Sequence, residues 1–254
     1  TISGNTATGN TEHGILLTVS SNNTISGNTE SSNSCIGIEL LSSSDNNTIS
    51  GNTATDNTGY GMDLGSSSNN TISGNTATGN TQHGIYLHSS SDNTISGNNA
   101  TGNTQHGIYI ESSSDNTISG NNATANGHGI YLQHSSDNTI YLNTLDNTYN
   151  ARSDSDNNWN ATSSQTYVHN GRTLNGFLGN IWSDYVGYDC DRDGVGDTSY
   201  SITGGSEKDL HPIGGQQPGL EVEKIADRNT AKIGDLINYT IWINNTGKGD
   251  LTGV

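Results

Sequence analysis

Asn70-Thr71-Ile72-Ser73-Gly74-Asn75, followed by Gly84-Ile85-Tyr86-Leu87, decides how this sequence folds. The first phrase, Thr-Ile-Ser-Gly-Asn, begins at Thr1, Thr24, Thr48, Thr71, Thr94 and Thr117, and returns as Thr139-Ile140-Tyr141-Leu142-Asn143. The intervals are 23, 24, 23, 23, 23 and 22 residues. The second phrase keeps step, at Gly14-Ile15-Leu16-Leu17, Gly37-Ile38-Glu39-Leu40, Gly61-Met62-Asp63-Leu64, Gly107-Ile108-Tyr109-Ile110 and Gly129-Ile130-Tyr131-Leu132. Registered copies at one period define a solenoid. Helical repeats need longer units and helix formers, whereas Asn, Gly, Ser and Thr favour turns. In Ile85-Tyr86-Leu87 the Ile and Leu point to one face and Tyr to the other, as in a strand. Three short strands joined by tight turns make one rung of an all-β, right-handed parallel β-helix with about 23 residues per coil.

The interior of such a coil is narrow, and few side chains fill it. Ile25, Ile49, Ile72, Ile95 and Ile118 are assigned to one inward column, and Ala7, Ala54, Ala77, Ala100 and Ala123 to a second. The Ile/Leu pairs of the Gly-Ile-x-Leu phrase form the third. Asn5, Asn28, Asn52, Asn75, Asn98 and Asn121 recur at a turn, where each amide bonds to its own turn or to the next Asn of the stack. This accounts for a hydrophobic share of only 28%. Eight Lys and Arg against 25 Asp and Glu give a net charge of −17, and the first cationic side chain is Arg152. That balance excludes nucleic acid and anionic membrane surfaces as partners. No apolar run approaches the ~18 residues of a membrane span. Cys35 and Cys190 are too few for a disulfide framework. The chain opens on Thr1 inside a repeat, without an initiating Met or signal peptide, and is read as a piece of a longer polypeptide.

These phrases resemble the repeats of the NosD family of parallel β-helix proteins, named after a periplasmic protein of the nitrous-oxide reductase system. They resemble in particular the copies in secreted and surface proteins of methanogenic archaea. Two further segments fit: Asn180-Ile181-Trp182-Ser183-Asp184-Tyr185 with Asp191-Arg192-Asp193-Gly194-Val195-Gly196-Asp197-Thr198, and Leu210-His211-Pro212-Ile213. The resemblance covers residues 1–215 and implies coils over 1–150 and a closing segment over 151–215. It implies little about activity, because this fold carries lyases, hydrolases, epimerases and plain rods. Residues 216–219, within Gly214–Gly219, read as a linker. From Leu220 the pattern alternates like strands (Leu220 to Lys224, Ile237 to Ile243), with Asn244-Asn245-Thr246-Gly247 as a turn. Residues 220–254 are similar to the opening of an Ig-like repeat of prokaryotic surface proteins, truncated well short of the ~100 residues such a sandwich needs.

The most specific local chemistry lies in Asp189-Cys190-Asp191-Arg192-Asp193-Gly194-Val195-Gly196-Asp197. Carboxylates at loop positions 1, 3, 5 and 9, Gly at 6 and the Val195 carbonyl at 7 suit calcium, which takes six or more hard oxygens. Position 12 is Tyr200 rather than Glu, so water or another carboxylate, with Asp184 a candidate, is needed to complete the shell. His83, His106 and His128 share one repeat position on consecutive coils and are candidate ligands for a transition metal such as copper, although Ile36 and Tyr60 interrupt the column. Tyr86, Tyr109 and Tyr131 form an outward column suited to a polysaccharide laid along the rod, or equally to cross-strand packing. Glu39 and Asp63, on preceding coils of that column, are the weak candidates for a catalytic carboxylate pair. A Thr-x-Thr stripe of the ice-binding kind, at Thr6/Thr8, Thr53/Thr55 and Thr76/Thr78, breaks at Glu30, Ser31, Asn99 and Asn122.

The expected function is that of an extracellular or cell-surface structural spacer, periplasmic in a bacterium, with weak carbohydrate binding and a polysaccharide or cell-envelope component as partner. Calcium is the expected ion. The alternatives are a polysaccharide-binding or -processing module of the β-helical kind and a copper-handling accessory of the NosD kind. Sequons at Asn22, Asn46, Asn69, Asn99, Asn122, Asn160, Asn238 and Asn244 offer N-glycan acceptors.

Overall fold

A computed structural model describes residues 1–217, 219–228, 230, 232–234 and 236–245, and among them it contains strands and turns but no α-helix. The repeats wind into a parallel β-helix. The Thr-Ile-Ser strands, from Ile2–Ser3 to Thr139–Tyr141, pair in register as a seven-stranded sheet that stacks Ile25, Ile49, Ile72, Ile95, Ile118 and Ile140. The Gly-Ile-x-Leu strands form a second seven-stranded sheet, from Ile15–Thr18 to Tyr149–Ser153. The Thr-Ala-Thr strands form the third wall, in runs of four and three. All three inward columns are sealed, with Ile49, Ala77 and Leu87 fully buried. A Cβ on Gly61 would stand 2.6 Å from the carbonyl oxygen of Gly84 and 2.9 Å from Ala77. Only glycine fits where the chain turns that close to its neighbours.

One assignment is corrected. Glu30, taken from the sequence as a break in the outward threonine array, pairs with Ala7 and Ala54 and therefore sits in the inward alanine column. It is fully buried, and neither carboxyl oxygen has a hydrogen-bond partner. Burial pushes its carboxyl up to about 7.

The turns carry three asparagine ladders. In the first, Asn5, Asn28, Asn52, Asn75, Asn98, Asn121 and Asn143, each backbone N–H and side-chain amide donates to Oδ1 of the next Asn, as Asn75 does to Asn98 at 2.9 and 3.0 Å. The second runs Asn10, Asn33, Asn57, Asn80, Asn103, Asn126 and Asn147. The third runs Asn23, Asn47, Asn70, Asn93, Asn116, Asn138 and Asn157. The donors of every ladder point toward the C-terminal end, so the last Asn of each has N–H groups to place.

The closing segment places them on carboxylates. Asn143 bonds to Asn180, whose N–H donates to Asp209 Oδ2 at 2.7 Å. Asn147 bonds to Asn150, whose amide donates to Asp184 Oδ1 at 2.7 Å. The N–H of Asn157 donates to Glu207. Carboxylates accept without donating, which suits the donor end of an amide stack. Trp159 and Trp182 cover the end of the core, with Trp182 donating its indole N–H to Asp209 at 2.8 Å and stacking on Tyr200 at 4.0 Å.

The segment read as a linker is tied down at its start. Gln216 donates its N–H to the Gly187 carbonyl at 2.7 Å, and the Gln217 side chain donates to Asp189 Oδ2 at 2.7 Å. Beyond it, Leu220–Ala226 and Tyr239–Asn245 pair as an antiparallel hairpin. Asn244 and Asn245, read from the sequence as the start of a turn, are instead the end of the second strand, paired with Glu221 and Leu220, and Pro218, Thr246 and Gly247 lie outside the described residues.

Candidate functional site

The outward face of the Gly-Ile-x-Leu sheet carries most of the residues singled out from sequence. Register sets one column as Leu16, Glu39, Asp63, Tyr86, Tyr109, Tyr131 and Arg152. Tyr86 and Tyr109 stack at 4.9 Å and 7°, and Tyr109 and Tyr131 at 5.2 Å and 25°. The Arg152 guanidinium lies 5.4 Å over the Tyr131 ring. A sugar that stacks on tyrosine needs an open ring face, and here each such face meets the next ring or the guanidinium. The hydroxyls are engaged as well. Tyr86 donates to Glu111, and Tyr109 to Gln133 Oε1 at 2.7 Å. Burial pushes the Tyr109 phenol up to about 12, and the Tyr86 phenol rises further beside Glu111.

Beside this column runs a second one of Tyr60, His83, His106, His128 and Tyr149. His83 stacks on Tyr60 at 5.1 Å and on His106 at 4.7 Å, both with planes 9° apart. His128 meets His106 edge-on at 4.9 Å and stacks on Tyr149 at 5.0 Å. Burial lowers His83 to about 3 and His106 to about 4, with each next imidazole in the column adding to the effect. Both are neutral at pH 7, and their buried Nδ1 atoms have no hydrogen-bond partner. As copper ligands they fit poorly. Among the described residues, the three imidazoles do not form a group of three or more ligand atoms within 4.8 Å of one another.

Glu39 and Asp63 are stacked neighbours and are buried rather than open to solvent. Glu39 Oε2 lies 3.1 Å from His13 Nδ1, within ion-pair distance but off hydrogen-bond alignment. Asp63 Oδ1 is 3.7 Å from His88 Nε2 and has no hydrogen bond. The imidazole of His88 occupies the space above Gly65, where a Cβ would stand 2.5 Å from Nε2. Burial, reinforced by the Glu39 charge, pushes Asp63 up to about 8. The pair therefore holds a proton at neutral pH.

Among the described residues, one set of three or more His, Cys, Asp or Glu side chains brings its ligand atoms within 4.8 Å of one another: Asp189, Asp191 and Asp193. Asp189 is buried and accepts from the Asp193 and Gly194 N–H groups, both at 3.1 Å. Asp193 Oδ1 accepts from the Val195 N–H at 2.7 Å. Asp197 turns to the loop's other end, accepting from the Cys190 N–H at 2.6 Å. Asp184, the carboxylate offered to complete the shell, is not in the group and accepts instead from the Tyr200 hydroxyl at 3.1 Å. The hard-oxygen chemistry of the three carboxylates suits a cation of the calcium type.

Glu207 and Asp209, ladder-ending carboxylates outside the repeat, carry no signal in the sequence pattern, whereas Asp184 is legible there only as an ion ligand and not as a ladder end.

Fold and register define the class of protein: a right-handed parallel β-helix. Residues 1–70 and 37–187 match the family described as periplasmic copper-binding protein (NosD), and the chain belongs to that family. Among solved structures it is similar to the A-module of the Azotobacter vinelandii mannuronan C-5 epimerase AlgE4, at 20% identity and a TM-score of 0.50, over 62% of this chain and 52% of that one. It is also similar to the periplasmic alginate epimerase AlgG, at 21% identity and a TM-score of 0.54, over 67% of this chain and 41% of that one. The chain thus spans about half the length of these enzymes or less, and the likeness is one of fold. Among curated proteins no relative matches. No helix among the described residues is long and apolar enough to cross a membrane.

Proposed function

We propose that this chain is a rigid rod working outside the cytoplasm, a spacer in contact with polysaccharide or another cell-envelope component. The observation that carries this reading is the internal pairing of the tyrosine column and the asparagine ladders: tyrosine faces lie on tyrosines and their hydroxyls on Glu111 and Gln133, while three amide ladders close on carboxylates. Such a surface favours stiffness over ligand capture. The family's periplasmic description and the periplasmic AlgG structure support the location.

In this reading Asp189, Asp191 and Asp193, whose ligand atoms lie within 4.8 Å of one another, hold calcium, with the Val195 carbonyl as a further oxygen and Asp197 bracing the loop through the Cys190 N–H rather than joining the ion. The ion would neutralise carboxylates that otherwise repel one another and would fasten the loop to the closing segment. Thermal unfolding of the whole chain with calcium and with chelator tests this, repeated for Asp193→Ala. A higher melting temperature in calcium, absent in the variant, supports the site. Equal melting temperatures for wild type in both conditions contradict it. Equilibrium binding of the chain to envelope polysaccharides tests the partner, and no retention on any of them argues against the contact.

One observation favours a second reading, polysaccharide processing. Asp63 retains a proton at neutral pH beside Glu39, the pairing of acid and carboxylate that glycoside hydrolysis uses. Release of reducing ends from a polysaccharide, lost in Asp63→Asn at unchanged melting temperature, is its test. Intact polysaccharide after prolonged incubation removes it.

A further inference from the structure

The tyrosine column that the sequence offers for sugar binding has no open ring face, but the closing segment contains a cleft that does have room. Its volume is about 630 Å³, within the range of small-ligand sites, and its walls include Asp184, Tyr185, Tyr188, Thr198, Tyr200 and Ser201. We propose that this cleft binds one or two units of an uncharged saccharide. The inference rests on the reading that the protein contacts polysaccharide, and it names the subsite and the class of sugar.

Three features make the cleft a formed site. First, Tyr185 is held from both sides. A Cβ on Gly187 would fall 2.1 Å from its hydroxyl, and one on Gly196 would fall 2.0 Å from it, so the ring fills space that only glycine leaves free. Its hydroxyl donates to the Thr198 carbonyl at 2.6 Å. Second, Asp184 is oriented before any ligand arrives, by the Asn150 amide at 2.7 Å and the Tyr200 hydroxyl at 3.1 Å. A carboxylate so fixed keeps lone pairs for sugar hydroxyls at little further ordering cost. Third, Tyr200 is backed by Trp182, with ring centroids 4.0 Å apart, so this wall is rigid and aromatic. Tyrosine bodies with polar tips, one oriented acceptor and a rim of Ser and Thr hydroxyls match the mixed apolar and hydroxylic surface of a pyranose.

Charge decides the class. No Lys or Arg lines the cleft, and Asp184 is its charged group. Tyr188 and Thr198 flank the acidic stretch Asp189–Asp197, and the whole chain carries −17. A uronate or sulfated sugar entering here meets the Asp184 carboxylate with no cation in the lining to offset it. A neutral hexose or pentose unit carries no charge to be repelled.

The test is calorimetry on the full chain with neutral oligosaccharides (gluco-, manno- and xylo-series) and with uronate oligomers, on wild type, Tyr188→Ala and Tyr109→Ala, with melting temperatures recorded for each. The expected result is binding of at least one neutral series, weakened about tenfold or more by Tyr188→Ala and left within twofold by Tyr109→Ala. Binding that is lost in Tyr109→Ala and kept in Tyr188→Ala overturns the cleft while leaving polysaccharide contact intact. Binding of uronates alone overturns the sugar class. Failure of every oligomer, with the chain retained on polysaccharide, again removes the cleft alone; failure of both removes the broader reading with it.

Discussion

The coils and the closing segment solve one problem in opposite ways. Within the coils the ladder asparagines at the turns are answered by their own copies one rung along, so Asn52 meets Asn75 and Asn75 meets Asn98. At the C-terminal end no further copy exists. The segment over 151–217 answers with unlike groups: Asp209, Asp184 and Glu207 for the amides, Trp159 and Trp182 for the apolar interior. Repetition builds length and stiffness at low sequence cost, whereas termination demands irregular chain, and irregular chain is where clefts and ion loops arise.

The largest effects should come from breaking a ladder in either region. Asn75→Ala orphans the N–H and amide of Asn52 and the Ile49 carbonyl, and Asp209→Ala orphans the N–H groups of Asn180 and His211 and the Trp182 indole. At 1–3 kcal/mol for each buried group left unsatisfied, either variant should lose roughly 4 kcal/mol by denaturant unfolding. Losses below about 1 kcal/mol would mean that water replaces the ladder partners. Calcium comes next. An ion at 100 times its Kd adds ~2.7 kcal/mol to wild type, and none to Asp193→Ala.

Glu30→Ala restores the alanine of the repeat and should stabilise the coils by about 2 kcal/mol at pH 8. Its folded value, about 7, exceeds the ordinary 4.5. The favourable contribution is therefore complete below pH 4.5 and is lost as pH rises toward 7. His83 and His106 act in the opposite sense. Their lowered values mean that stability falls as pH drops below 6.5 toward 4 and 3. Melting curves of Glu30→Ala and His83→Phe across pH 4 to 8 separate the two contributions, and parallel curves for wild type and both variants would refute both. The smallest effect is Tyr109→Phe, which gives up one half-buried hydroxyl bond to Gln133 and should cost less than about 1 kcal/mol.

What was legible in the sequence follows the same division. The period placed Ile72 and Leu87 inside and Tyr86 outside, because stacked copies repeat one environment and any single coil reports on all. Glu30 escaped for the same reason: one unlike residue in a repeat is easily read as a surface lapse, and only pairing with Ala7 and Ala54 places it in the core. The tyrosine column was legible as a column but not as a closed one, since ring stacking and the Tyr86–Glu111 bond depend on side-chain torsions that spacing does not encode. The acidic loop was legible because its carboxylates are close in sequence. The cleft was not, because Asp184 and Tyr200 meet only after the chain has turned back across the loop.

The most direct test of this division is amide NMR of the full chain titrated with calcium. The account predicts shifts confined to residues around 188–198 and the adjoining 214–217, with the amides of His83, His106, His128, Tyr86, Tyr109 and Tyr131 unmoved. A silent acidic loop, or shifts centred on the histidine and tyrosine columns, would contradict it.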